Sequence, residues 1–241
     1  MLDGKVVIIT GGAKGIGRYI ALTFAKAGAK LALADIDMAR LHTTGEEMRA
    51  LGAEVLTVTA DVRSEGEVKS AVDRVVQHFG RVDVLVNNAA IVPHFMWGIP
   101  RWARVRDMEQ SFWDRVMDTN LGGTFRFTKQ VIPHMEQQRS GHIVNLYGGG
   151  GGPGAAAYVV SKEAIKTFSQ FVAVEEEEFG VCVVTVNPGA AIATEDAPEE
   201  ARQRMPGPDF VGERFVLAAQ VGMEYTGKVL TMKDGALVIE G

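Results

Sequence analysis

Short apolar, β-branched runs alternate along this chain with longer segments of helical pattern. The runs KVVII, KLALA, EVLTVTA, VDVLV, HIVNLY, VCVVTV and KVLTM have the length and composition of buried strands. Between them lie segments such as RYIALTFAKAG, which read as helices. Strand and helix in alternation predict parallel strands joined by right-handed crossovers, with helices on both faces of the sheet. The expected fold is therefore α/β, a doubly wound seven-stranded parallel sheet, formed by a single domain over residues 1–241. No internal repeat or linker interrupts the pattern. Two low-complexity stretches stand out, the glycine run Gly148 to Gly152 and the glutamate run Glu175 to Glu178. The glutamates close a helix, where the macrodipole disfavours negative charge, and read as a solvated end or as one side of a subunit salt bridge.

Composition narrows the function classes. With 241 residues and 46% hydrophobic content, the chain can bury a sizeable core without disulfides or metals. A net charge of −5 and the lack of a long basic tract argue against a nucleic-acid surface and leave small-molecule chemistry as the better expectation. The single cysteine, Cys182, lies in an apolar run and reads as a small buried hydrophobe. One cysteine can form no internal disulfide, which suits a reducing compartment. With no leader pattern and no apolar stretch long enough for a membrane span, the expected location is the cytoplasm, with no membrane partner.

The first twenty residues carry the first chemical signal. An apolar run, Lys5 to Ile9, passes into TGGAKGIG, Thr10 to Gly17, and then into a helical segment. A strand entering a glycine-rich turn that opens a helix presents backbone N–H groups and a positive dipole end to a phosphate. Gly11, Gly15 and Gly17 permit the tight turn and close approach to a pyrophosphate. A second strand, Lys30 to Ala34, ends in Asp35, about twenty residues on, where a carboxylate can accept both ribose hydroxyls of a dinucleotide. Strand, turn, helix and acid in this order point to dinucleotide binding; the alternative is an ordinary glycine-rich turn.

The second signal is Tyr158 and Lys162 within YVVSK. Four residues apart on a helix, they share one face. A nearby cation favours the phenolate and lowers a phenol's pKa from about 10, which makes the pair a candidate general acid/base. The alternative is an ordinary solvated helix face.

Taken together, these motifs resemble the short-chain dehydrogenase/reductase family over nearly the whole chain: TGGAKGIG, Asp35, Asp61-Val62 after the third strand, NNAA at Asn87 to Ala90, Asn120, Tyr158 with Lys162, and NPG at Asn187 to Gly189. The resemblance implies a nicotinamide cofactor bound by Gly11, Lys14, Gly15, Ile16, Gly17, Asp35, Asp61, Val62, Asn87, Ala89, Tyr158, Lys162, Pro188, Gly189 and Thr194. Asp61 and Val62 would hold the adenine. Asn120 would hold a water linking Lys162 to solvent. Tyr158 would exchange the proton while hydride moves between a secondary alcohol or its ketone and the nicotinamide. A homodimer or homotetramer is also implied, built on the helices carrying Asn120 and Tyr158.

Asp35 repels the 2′-phosphate of NADP, whereas Lys14 is a contrary signal often found in NADP users; the carboxylate decides for NAD, with NADP less favoured. One departure from the family matters. Where a substrate-binding serine belongs, this chain has Asn145-Leu146-Tyr147-Gly148. Three readings stay open: the Tyr147 hydroxyl replaces the serine, the substrate or Asn145 does the positioning, or turnover is lost and the protein is an NAD-binding regulator or scaffold. Substrate identity is open too. A long segment between Ala90 and Asn120 carries His94, Phe95, Met96, Trp97 and Trp102 with Arg101, Arg104 and Arg106, and reads either as a substrate loop or as a loop packed on its own helix or on a neighbouring subunit. The stretch between Thr194 and Pro208 is short and polar.

Overall fold

The computed structural model describes residues 2–93, 101–148 and 151–240. Its elements follow in the order β1 (Val6–Thr10), α1 (Gly15–Lys26), β2 (Lys30–Asp35), α2 (Met38–Ala50), β3 (Val55–Thr59), α3 (Glu65–Phe79), β4 (Val84–Asn87), α4 (Gln110–Met117), α5 (Gly123–Gln138), β5 (Gly141–Leu146), α6 (Ala156–Glu176), β6 (Val181–Val186), α7 (Glu199–Arg204), α8 (Val211–Ala218), β7 (Val229–Lys233) and β8 (Ala236–Ile239). The strands form one sheet in the order β3-β2-β1-β4-β5-β6-β7-β8. Strands β1 to β7 pair in parallel, and β8 closes the edge antiparallel to β7. The doubly wound α/β fold holds, but the seven-stranded, wholly parallel sheet is corrected to one of eight strands among the described residues. Asp234 and Gly235, both at positive φ, make the two-residue turn that sends β8 back.

Side-chain alternation along each strand divides the core between two faces. Val7 and Ile9 of β1 point toward Phe24 of α1 and Phe215 of α8 in one cluster. Val6 and Ile8 point the other way, toward Val72 of α3 and Phe127 of α5. Helix boundaries follow local chemistry: the Ser64 hydroxyl accepts the Glu67 N–H to start α3, and Gly80, at φ +80°, ends it. The winding reverses between β1 and β4, so the loops leaving those two strands part there and open a crevice at the C-terminal edge. The glutamate run is only partly a solvated end. Glu176 is buried, its Oε2 has no hydrogen-bond partner among the described residues, and burial together with Glu136, Glu175 and Glu178 raises its pKa.

Candidate active site

At the crevice the chain leaves β1 through Gly11, at φ +65°. A Cβ there would come within 2.9 Å of Ala89 Cα and Asn88 Nδ2, and one on Gly17 would run into the Gly11 carbonyl oxygen. Any side chain at either place would wedge the turn apart. The Asn88 side chain donates to the carbonyls of Thr10 and Gly11 at 2.9 and 3.1 Å, while Thr10 Oγ1 accepts from the backbone of Asn88 and Ala89. These bonds lock the glycine turn to the loop after β4. At the end of β2, the Asp35 carboxylate is fixed by the N–H groups of Ala13 and Asp37 at 3.1 and 3.0 Å. Asp61 takes Arg63, which lowers its pKa.

A groove of about 1150 Å³ runs along this edge. The residues chosen from the sequence line it, except Gly17, Asn87, Asn120 and Lys162, which stand behind its wall. A dinucleotide fits this arrangement: there is a turn that tolerates no Cβ at the start of α1, a carboxylate at the end of β2, and Tyr158 with Pro188 and Gly189 along the same groove. Asn187 shapes the last of these, accepting from Gly189 N at 2.9 Å and donating to Glu240.

Tyr158 and Lys162 lie one turn apart on α6. Lys162 is 1% exposed; its Nζ donates to the Leu146 carbonyl at 3.0 Å and lies 5.8 Å from the centre of the Tyr158 ring. With no carboxylate beside it among the described residues, burial pulls the ammonium down from 10.5 to about 8. Burial also pushes the Tyr158 phenol up to about 12. In the chain alone, desolvation therefore overrides the lowering that the lysine was expected to give. Asn120 sits in a five-residue π-helical turn, Asp118–Gly122, between α4 and α5. Its side chain is satisfied by protein: Oδ1 accepts from Ile91 N, and Nδ2 donates to Ile91 O and Ser161 Oγ.

In the stretch Asn145 to Gly148 each residue has a defined surrounding. Gly148 faces the phenol, for a Cβ there would lie 2.9 Å from Tyr158 Oη. The Tyr147 hydroxyl donates instead to Glu163, a contact that raises its pKa to about 12. The Asn145 amide is taken up by the protein. It is fully buried, accepting from Asn87 Nδ2 at 2.8 Å and donating to Ser169 Oγ at 2.8 Å.

The family model for short chain dehydrogenase matches residues 5–204. The chain belongs to the short-chain dehydrogenases. It is 36% identical to the 3-oxoacyl-[acyl-carrier-protein] reductase FabG of Thermotoga maritima, over 99% of each chain. Among solved structures it is similar to NAD⁺-bound xylitol dehydrogenase, at a TM-score of 0.85 and 25% identity, covering 96% of this chain and 98% of that one. It is also similar to a single-substitution variant of actinorhodin polyketide ketoreductase with NADPH, at 0.84 and 30% identity, covering 98% of each. This short-chain dehydrogenase is thus an oxidoreductase of the type that acts on ketone and alcohol groups.

Other parts of the dehydrogenase were not singled out from sequence. Thr10 and Asn88 brace the cofactor turn, Glu163 and Glu240 hold Tyr147 and Asn187, and Arg40, Glu195 and Asp196 gather at the mouth of the groove. Asn-Asn after a strand was the available signal for Asn88; the others are long-range pairs with no local pattern. His94 to Trp97 lie outside the described residues. Of the same segment, Trp102 packs edge-on against Phe112 of α4, and its carbonyl closes against Gly154, so this part packs on its own helix and on the turn before α6.

Proposed function

We propose that this chain is an NAD(H)-dependent oxidoreductase that interconverts a secondary alcohol and a ketone, with Tyr158 as general acid/base. The observation that carries this reading is a phenol on the groove wall with a buried ammonium one turn behind it. A bound nicotinamide would supply the hydride; the side chains below supply orientation and the proton. A phenol near 12 is held protonated at neutral pH and can donate to a developing alkoxide. Lys162, anchored on Leu146 O, keeps positive charge beneath that phenol and eases the proton's departure. Asn120, through Ser161 and Ile91, fixes the start of α6 against the loop after β4. With Gly148 facing the phenol and the Tyr147 hydroxyl donated to Glu163, the substrate oxygen depends on Tyr158 for its hydrogen bond. Ile91, Val92, Pro93, Ile192 and Met205 favour an apolar alcohol or ketone.

Asp35 supports NAD over NADP, by at least about 1.4 kcal/mol or tenfold. Exposed apolar side chains on α5 and α6, among them Phe125, Phe171 and Val174, support a homodimer or homotetramer built on those helices. The bare Gly148 favours a second reading, a nicotinamide-binding regulator without turnover. Absorbance at the nicotinamide band, followed with alcohols plus NAD and with ketones plus NADH, separates the two. Turnover of one alcohol/ketone pair is the expected result; tight NADH binding with no turnover across aliphatic, aromatic, steroid, sugar and acyl-thioester substrates would favour the regulator.

A further inference from the structure

We propose that the loop after β6 carries an internal anion, Glu195 with Asp196, which holds the phosphate end of the groove and must be displaced when a dinucleotide binds. The inference rests on the nicotinamide reading above and deepens it. Helix α1 begins at Gly15 without a side-chain cap from its own N-cap residue, Lys14. Its first N–H is taken from across the groove: Glu195 Oε1 accepts Gly15 N at 2.7 Å. A carboxylate there satisfies a donor that the helix cannot satisfy itself and lies at the positive end of the macrodipole. The neighbouring residue extends the same contact. Asp196 accepts Lys14 Nζ at 2.8 Å and Arg40 through both of its oxygens at 2.9 Å. Thr194 lies over the turn as well, with its Oγ1 and Cγ2 each 3.9 Å from where a Gly15 Cβ would stand. Thr194 and Glu195 therefore cover the glycine turn, and Asp196 occupies Lys14 and Arg40 beside it.

A pyrophosphate at the start of α1 calls on the same N–H and the same dipole end. Two anions cannot share that donor without strong repulsion, so Glu195 competes with either dinucleotide. Asp196 acts on selectivity. Lys14 flanks the glycine turn, and Arg40 follows the α2 cap Asp37, two residues beyond Asp35; these are the cations placed to meet an added 2′-phosphate. Both are already paired to Asp196, whose single charge offsets part of theirs, and Arg40 also faces Asp37 at 3.6 Å. The lysine that argues for NADP in the sequence is thus answered by an aspartate 182 positions away.

The test is fluorescence titration of NADH and NADPH into wild type, Glu195→Gln and Asp196→Asn, with Glu200→Gln as a control that removes one exposed charge on α7. Glu195→Gln is expected to tighten both dinucleotides by a common factor of about threefold or more, and Asp196→Asn to shift the NADPH/NADH preference toward NADPH by about threefold or more. The control should change neither by more than about 1.5-fold. Unchanged or weaker binding in Glu195→Gln, an unchanged preference in Asp196→Asn, or equal effects in the control would overturn the inference while leaving the nicotinamide reading intact. Failure of wild type and all variants to bind either dinucleotide would overturn both.

Discussion

Replacing Lys162 by methionine should stabilise the protein at neutral pH. The ammonium is buried, and its pKa falls from 10.5 to about 8. At about 1.36 kcal/mol per pH unit, holding it protonated at pH 7 costs the folded state about 3 kcal/mol. Methionine fills a similar volume without charge but gives up the bond to Leu146 O, worth about 1 kcal/mol. The net gain is about 2 kcal/mol, or a rise in Tm of about 4–8 °C for a chain of this size. Its pH dependence identifies the cause. Between pH 8 and 10.5 the unfolded chain keeps the proton that the folded chain has lost, so wild-type stability rises with pH in that window. At pH 9.5 the burial cost has dropped to about 1.4 kcal/mol, and the advantage of the variant shrinks to near zero. Urea unfolding of both proteins at pH 7 and 9.5 measures this directly. A stability difference that does not change between the two pH values would refute the reasoning, whatever its sign at pH 7.

Other outcomes follow from neighbouring contacts. Gly148→Ala places a Cβ against the Tyr158 hydroxyl and should lower kcat about tenfold or more by displacing the phenol, with NADH affinity held; steady-state kinetics beside a binding titration check this. Tyr147→Phe removes a hydroxyl already donated to Glu163 and should leave turnover within about threefold, while a loss of about a hundredfold would make that hydroxyl the replacement for the family serine. Glu176→Gln should raise Tm at pH 7. Because burial and nearby glutamates raise the Glu176 pKa, the folded state favours its proton and loses stability as pH climbs, so thermal melts of variant and wild type should converge as pH falls into the ordinary carboxylate range.

The parts of the fold and site that could be read from the chain are those where backbone geometry restricts residue type. Gly11 and Gly17 are legible because nothing larger fits the turn, and Asp35 because a strand end fixes its distance from that turn. The strand β8 escaped although Asp234-Gly235 is a hairpin signal, since four residues at a sheet edge carry little periodic pattern. Asn145 and Tyr147 show a different limit. Both stood in the right stretch, but whether an amide or a phenol faces the groove depends on Ser169 and Glu163, which reach them from α6. The direction of the Tyr158 shift was hidden for a related reason: spacing gives proximity to Lys162, whereas burial, which decides the sign here, is a property of the packed chain. Glu195 and Asp196 are farther still from any local signal, 180 and 182 residues from their partners at the turn.

The central claim is that Tyr158 carries the proton in a nicotinamide-dependent reaction. Tyr158→Phe keeps the ring and removes only the hydroxyl, so the decisive measurement is its single-turnover rate with NADH and a ketone turned over by the wild type, alongside its NADH affinity. The account predicts a fall of at least about a hundredfold in rate with affinity changed by less than about threefold. A variant that turns over at the wild-type rate would contradict it.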